Sequence, residues 1–517
     1  MIKKMKPKAR IIALSLAVAF ATSQAHADER ESLETLRQTT LNLINILVDQ
    51  HVLTKEKADE LIKQAEQSAA KKVAAEKKAE GNVIRVPYVP EVVKNEIRDE
   101  IKQEVLAQAQ GERWGDPGAL PSWMSRISWE GDIRVRFQND RFDPNNATPN
   151  FLQAWYGQSN ITNSQENRNR DRLRARLGAK IKVNDWVTGG IRIATGDSSE
   201  PVSTNQTLGN TAEKYSIWLD RAYVNLEPRY WASLSGGRIP NPWFSTDLVW
   251  DPDINFEGVA ATFKPMLNDE HNMFLTIGAF PIQDIAPSPS NKAGSKWLYG
   301  AQVGGFIRTE NESLYKVGLA VYDYKNVEGI PNPNAYSTAY SATAPQYHQK
   351  GNSVFDINQN VPSSSILYGI ASKFREINLT ASMDLANFDP VHVIVTGDFV
   401  KNVGFDQNEI LQRTGLNVTP RTTGYQAKLT VGNPKMDFSG NWQASIAYKY
   451  LQRDAVLDAF TDSDFHLGGT DAKGYILGGK YALDKNTWLG LRWLSADSID
   501  GPPYAIDVLQ MDLNAKF

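Results

Sequence analysis

From about residue 126 to Phe517 the chain alternates apolar and polar residues in short segments, joined by connections that are in turn short and long. In the last segment Leu509, Met511, Leu513, Ala515 and Phe517 share one face, while Gln510, Asp512, Asn514 and Lys516 share the other, because successive side chains of a strand point to opposite sides. The same period of two sets Ile127, Trp129, Ile133, Val135 and Phe137 against Ser128, Glu130, Asp132, Arg134 and Arg136. It recurs in Leu173, Ala175, Leu177, Ala179 and Ile181 against Arg172, Arg174, Arg176, Lys180 and Lys182. A face of arginines needs water and the apolar face needs something else, so each strand asks for two different surroundings.

The pattern predicts strands over 127–137, 172–182, 187–193, 215–226, 231–238, 255–264, 272–280, 296–308, 313–324, 366–384, 390–400, 421–431, 438–451, 473–482, 487–495 and 504–517. That is about 16 antiparallel strands, with short turns at one end and long loops at the other, as in a transmembrane β-barrel. A closed barrel is also the only sheet that crosses lipid without an unpaired edge. A soluble sandwich or propeller would not require apolar residues facing outward on every strand. Trp129, Trp186, Tyr223, Trp231, Trp297, Tyr315, Tyr425, Trp442, Tyr450, Trp488 and Trp493 lie on predicted strands or at their ends, where aromatic girdles belong. The expected fold over 126–517 is therefore an all-β outer-membrane barrel with a polar lumen.

The N-terminal part is different. Lys3, Lys4, Lys6, Lys8 and Arg10 precede an apolar run from Ile11 to Phe20 and the small-x-small triplet Ala25-His26-Ala27, which reads as a secretory signal peptide over 1–27. Residues 28–110 are rich in Ala, Lys, Glu and Gln, with Leu33, Leu36, Thr40, Leu43 and Leu47 at coiled-coil spacing and a thin stripe of Ala58, Ile62, Ala65, Ala69 and Val73 beyond Thr54. This predicts a helical segment, joined by a Pro-containing linker at 111–125. Because an even strand count returns both barrel ends to one side, the segment would sit in the periplasm.

Composition removes several chemistries. There is no cysteine, hence no disulfide, zinc-thiolate site or thiol nucleophile. The 56 basic and 59 acidic residues leave a net charge of −3, which gives no reason to expect nucleic acid. No run beyond the signal peptide approaches the length of a spanning helix. The polar loops have no calcium-loop spacing, so neither a metal nor a cofactor is expected.

The signal peptide, the helical segment, the stretch Leu219-Asp220-Arg221-Ala222-Tyr223-Val224, the turn-like Gly237-Arg238-Ile239-Pro240-Asn241-Pro242 and the terminal Phe517 together resemble a family of Gram-negative outer-membrane porins. The resemblance covers nearly all of the chain after residue 27. It implies a passive channel for small hydrophilic solutes or ions, and a terminal Phe517 read by the outer-membrane assembly machinery. The helical segment is similar to stalks that precede some barrels. One alternative is accordingly a structural protein that trimerises or touches the cell wall through its stalk, and homotrimers are a candidate assembly. A barrel hydrolase is a further alternative, but His51, His271, His348, His392 and His466 are scattered and no nucleophile-elbow or zinc-protease pattern accompanies them.

About 16 strands leave a water-filled lumen, whereas about eight are filled by side chains. Selectivity then rests on width and lining charge. The polar faces nominate Arg134, Arg136, Arg172, Arg174, Arg176, Arg192, Arg221 and Arg238 as a basic, anion-favouring ladder, unless Glu130 and Asp132 pair with it across the strands. The third long loop, Ile239 to Asn255, carries Pro240, Pro242, Trp243, Phe244 and Trp250, an unusual aromatic content for an exposed loop. It looks like the inward-folded loop by which general porins narrow their lumen, and would set Asp247, Asp251 and Asp253 opposite the arginines. The other reading packs this loop on the barrel rim or at a subunit contact.

Overall fold

The computed structural model describes residues 124–265, 271–334, 337–359 and 366–517. The signal peptide, the helical segment and residues 111–123 of the linker lie outside the described residues. Seventeen strands hydrogen-bond into one sheet, one of them the two-residue piece Gln206–Thr207, which edges onto its neighbour from inside a loop. The other 16 form the wall. They are β1 (Ile127–Phe142), β2 (Arg168–Lys182), β3 (Val187–Ala194), β4 (Trp218–Arg229), β5 (Ala232–Pro240), β6 (Asn255–Phe263), β7 (His271–Gln283) and β8 (Lys296–Arg308). They continue with β9 (Leu314–Lys325), β10 (Arg375–Phe388), β11 (Val391–Asn402), β12 (Thr423–Gly432), β13 (Trp442–Leu451), β14 (Ala472–Asp484), β15 (Thr487–Ser498) and β16 (Ala505–Lys516).

Every strand pairs antiparallel with its neighbours in sequence, and β16 returns to β1 in register from Asp132↔Lys516 to Phe142↔Ile506. Phe517 completes that seam. Its amide donates to the Gly131 carbonyl at 3.0 Å, and the Gly131 amide donates back at 2.9 Å. Glycine suits that position because a Cβ on residue 131 would stand 2.8 Å from the Arg176 carbonyl oxygen as well as 2.4 Å from the Phe517 ring.

The alternation has its expected physical meaning. Ile133, Val135 and Phe137 of β1, Val317, Leu319 and Val321 of β9 and Leu489, Leu491 and Trp493 of β15 all stand exposed, and together such columns make an apolar outer belt. Water would not tolerate a patch of that extent, whereas lipid requires it. Trp129, Trp186, Tyr230, Trp231, Phe388, Phe438 and Trp442 are exposed at the end that carries the short turns, forming a girdle. Tyr223 is not part of a girdle: it points inward, where its ring covers Gly190.

The predicted strand 366–384 begins nine residues before the observed one, and 438–451 begins four before it. The stretch 366–374 precedes β10 and is not wall; its Tyr368–Ile370 forms a two-stranded pairing with Val354–Asp356 inside the loop after β9. A period of two identifies a strand but not the sheet it joins, and here Ile370 and Phe374 turn into the interior.

Candidate functional site

The long loops determine what the lumen can do. Loop 2 (residues 195–217), loop 3 (241–254) and loop 7 (452–471) all reach residues on the inner wall. Loop 3 leaves β5 through Pro240-Asn241-Pro242, with the Asn241 side chain accepting the Trp243 amide at 2.9 Å. The Trp243 indole then settles over Gly300 of β8, where a Cβ would come within 2.5 Å of it, and meets Phe280 and Tyr322 edge-on at 6.1 and 5.3 Å. The Gln302 side chain of β8 clamps the next residue at both ends, accepting the Phe244 amide at 2.8 Å and donating to its carbonyl at 2.7 Å.

Further along, the Thr246 hydroxyl and amide donate to Asp398 of β11 at 2.6 and 3.1 Å. Asp247 accepts from Gln426 of β12 at 2.9 Å and pairs with Lys449 of β13 at 3.3 Å. Leu248, Val249 and Trp250 are buried, the last against Phe256 and Tyr322 at 4.8 and 5.1 Å between ring centroids. The loop returns through Asp253, which pairs with Arg176 and Arg174 of β2 at 3.0 and 3.8 Å and accepts from Thr204 of loop 2. A loop bonded to β2 at one end and to β11, β12 and β13 at the other crosses the interior of the cylinder.

Loop 7 is the second inward loop. Its Asp462 accepts from Lys449 at 2.9 Å, so that one buried ammonium holds loops 3 and 7 together. Asp464 pairs with Arg492 of β15 at 2.9 Å and Arg136 of β1 at 3.2 Å. Ala455, Val456, Leu457 and Ala459 are buried in the same cluster as Trp243, Trp250 and Tyr322.

The predicted residues separate into three groups. Arg136, Arg174, Arg176 and Arg192 are neutralised: Arg136 by Asp512 at 2.7 Å and by Asp464, Arg174 and Arg176 by Asp132 at 2.8 and 2.7 Å and by Asp253, and Arg192 by Asp220. The ladder is to this extent a mixed network, with Glu130 likewise paired to Lys180. Arg134, Arg172 and Arg221 make no ion pair among the described residues; they reach the neutral side chains of Asn205, Gln138 (3.4 Å) and Asn255 (2.6 Å). Arg238 departs from the expectation. It shares the parity of exposed Leu234, stands opposite Glu257 in register and pairs with it at 2.7 Å, on the outer face rather than the inner one.

Of the three acidic residues, Asp253 meets the arginines and Asp247 meets Lys449, while Asp251 meets no cation among the described residues. Its carboxylate accepts the amides of Asp253 at 2.8 Å and Ser463 at 2.9 Å. Burial, followed by repulsion from Asp462 and Asp253, pushes the Asp251 carboxyl well above the usual range. For Asp247 burial acts in the same direction, but the Lys449 ammonium and the Gln426 amide overcome it and hold the carboxyl down at about 2. Asp464 is likewise held well below the usual range, because Arg136 and Arg492 outweigh its burial.

Lys449, Gln302, Asp398 and Gln426 escaped the sequence reading, as did the role of loop 7. For loop 7 a signal existed, since apolar Ala455-Val456-Leu457 and aromatic Phe460 and Phe465 are as unexpected outdoors as the tryptophans of loop 3. The same alternation also places Lys428 of β12 and Lys480 of β14 on inward parity, both exposed and without an ion pair among the described residues. Toward the loops a cavity of about 1040 Å³ opens, bordered by Arg168, Arg170, Arg172, Glu200, Lys214 and Asp464. His392, one of the scattered histidines, bonds Asp384 at 2.7 Å through Nδ1.

Residues 37–517 match the family described as "Putative porin". No curated protein matches the chain. Among solved structures, it is similar to the outer-membrane channel DcaP of Acinetobacter baumannii, at 11% identity over 76% of this chain and 97% of that one, with a TM-score of 0.40. It is similar to Pseudomonas putida OprB at 11% identity over 76% and 95%, with a TM-score of 0.43. It is also similar to an anion-selective porin from Comamonas acidovorans at 11% identity over 76% and 99%, with a TM-score of 0.39. The chain belongs to the family of porins so described, which makes it an outer-membrane diffusion channel.

Proposed function

We propose that the channel formed by this porin prefers small hydrophilic anions and that loop 3 forms its constriction. The observation that carries the preference is the set of guanidinium groups left without a carboxylate. Register sets Arg134 opposite Arg174 and Arg136 opposite Arg172, and like charges so opposed repel. Asp132 and Asp253 compensate Arg174, and Asp464 and Asp512 compensate Arg136, so each rung keeps one uncompensated cation. Arg221, Lys428 and Lys480 add further unpaired charge along the same part of the wall.

A single charge about 6 Å from a passing ion contributes roughly 0.7–3 kcal/mol for effective dielectric constants between ~80 and ~20. Two such charges are enough to set a preference of several-fold or more. Reversal potentials across a potassium chloride gradient test this. The wild type is expected to favour chloride, and Arg134→Gln/Arg172→Gln to lower the chloride-to-potassium permeability ratio several-fold. An unchanged ratio overturns the assignment. The even strand count supports a further reading, that the chain before Ile127 joins the barrel from the periplasmic side.

A further inference from the structure

A second arrangement of charge lies outside the lumen, on the outer face of β9, β10 and β11. Going toward the long loops, the outward columns of these strands end in exposed Val321, Ile377 and Phe399, as a lipid-facing belt requires. The next outward positions are Asp323 and Lys325 on β9, Arg375 on β10 and Lys401 on β11, with Asp323 opposite Arg375 and Ile377 opposite Lys401 in register. They border a cavity of about 750 Å³, whose loop-side lining includes Glu328, Lys373 and Asp406.

Each carboxylate of this cavity is already engaged. Asp323 pairs with Lys325 at 2.7 Å and Arg375 at 3.1 Å. Glu328 has Lys373 at 3.9 Å, and the same ammonium reaches Glu409 at 3.2 Å. Asp406 caps the helix Gln407–Thr414, accepting the amides of Asn408 at 2.9 Å and Glu409 at 3.1 Å. Lys401 is the exception: among the described residues it meets no carboxylate, and its exposed ammonium donates only to the Thr423 hydroxyl at 3.0 Å. Four cations thus surround a cavity directly above an apolar belt, one of them uncompensated, at the height where lipid headgroups begin.

We infer that this rim cavity binds the phosphate-bearing headgroup of an outer-leaflet lipid, with Lys401 as its principal ligand and Lys325, Lys373 and Arg375 around it. A phosphate monoester carries close to two negative charges and three acceptor oxygens, which suits converging ammonium and guanidinium donors. The acyl chains would continue down the column that contains Val321, Ile377 and Phe399, so headgroup and chains are satisfied by one stretch of wall. Free phosphate would use only the first of these.

Native mass spectrometry of the purified full-length protein in detergent tests the site, with phosphatidic acid as probe and diacylglycerol as its phosphate-free counterpart. The wild type is expected to retain phosphatidic acid and not diacylglycerol. Lys401→Gln should weaken retention about fivefold, the worth of one lysine near a charged headgroup, and Lys401→Arg should restore it. Lys473→Gln removes an outward rim lysine far from the cavity and should leave retention unchanged. Lys373→Gln gives a second, independent loss within the cavity. Equal binding of diacylglycerol, undiminished binding by Lys401→Gln, or an equal loss in Lys473→Gln would each overturn the site. Displacement of the lipid by millimolar inorganic phosphate would reassign it to a free oxyanion.

Discussion

The ammonium of Lys449 is the most informative single group to remove. Its side chain is 1% exposed, and its Nζ lies 2.9 Å from Asp462 of loop 7 and 3.3 Å from Asp247 of loop 3, over the Phe465 ring at 5.2 Å. Lys449→Met keeps the stem's volume and deletes the charge, leaving a buried carboxylate, Asp462, and a half-buried one, Asp247, with no cation between them. Breaking a buried pair by removing one partner costs about 3–5 kcal/mol, because the other charge stays buried and unpaired. At 1.4 kcal/mol per factor of ten, that lowers the docked-to-undocked ratio of the two loops by roughly 10² to 10³·⁵. The remaining anchors, Gln302 on Phe244 and Asp398 on Thr246, hold the first half of loop 3, so its tip should be what loosens. Single-channel recordings in planar bilayers should show a larger, noisier open conductance, and chymotrypsin should gain access to Trp250, which is 2% exposed in the docked loop. Lys449→Met/Asp247→Asn/Asp462→Asn, which neutralises the whole group, should return both readouts toward wild type. A single variant with wild-type conductance and protease resistance, or a triple variant worse than the single one, would refute the latch.

Two further expectations rest on separate observations. The raised Asp251 carboxyl favours docking while it holds its proton: that contribution is complete below the undocked value near 3.9 and fades as pH rises toward its elevated docked value, whereas the Asp247 contribution, with its docked value at about 2, is present above about 3.9 and fades as pH falls through 2. Open-channel noise should therefore fall between neutral pH and about 4 and rise again below, and Asp251→Asn should abolish the first change; an Asn variant with the wild-type profile would exclude Asp251 as its source. In the wall, Gly432 has φ of +135°, and a Cβ there would stand 2.1 Å from the Trp442 carbonyl oxygen, so Gly432→Ala should destabilise the barrel by more than about 1 kcal/mol, read as a lower urea midpoint for refolding into lipid.

The wall was legible because each of its faces meets a different solvent, so the sequence must repeat that demand at every second residue. The same demand closes the seam at Phe517, and the 16-strand count emerges from it. Its misreadings have local causes. The stretch 366–374 has the period of a strand but turns into the interior as a loop pairing, and Arg238 lies at the end of β5 on the same parity as Leu234, where Glu257 of the next strand compensates it outside. The aromatic content of loop 3 signalled that it was not an ordinary exposed loop. Its partners carried no such signal: Thr246 meets Asp398 and Asp247 meets Lys449 across distant parts of the chain, and nothing periodic connects residues so far apart.

The apolar filling of the lumen and its charged lining belong to one physical arrangement. Ile239, Phe256, Phe280, Leu298 and Tyr322, one from each strand from β5 to β9, form an inner wall against which Trp243 and Trp250 of loop 3 and Val456 and Leu457 of loop 7 are buried. That side of the cylinder is occupied by side chains of low polarity. The uncompensated Arg134, Arg172, Arg221, Lys428 and Lys480 lie on β1, β2, β4, β12 and β14, in the sector that runs from β12 through the seam to β4. In an open 16-strand lumen these charges would act on ions many ångströms away and be screened beyond about 8 Å at physiological salt. With loops 3 and 7 packed against the β5–β9 side, the rest of the lumen lies nearer to these charges, and the apolar side offers little dielectric relief. On the anion preference proposed above, the loops would contribute by narrowing the lumen toward the basic sector, which the arginines alone would not do.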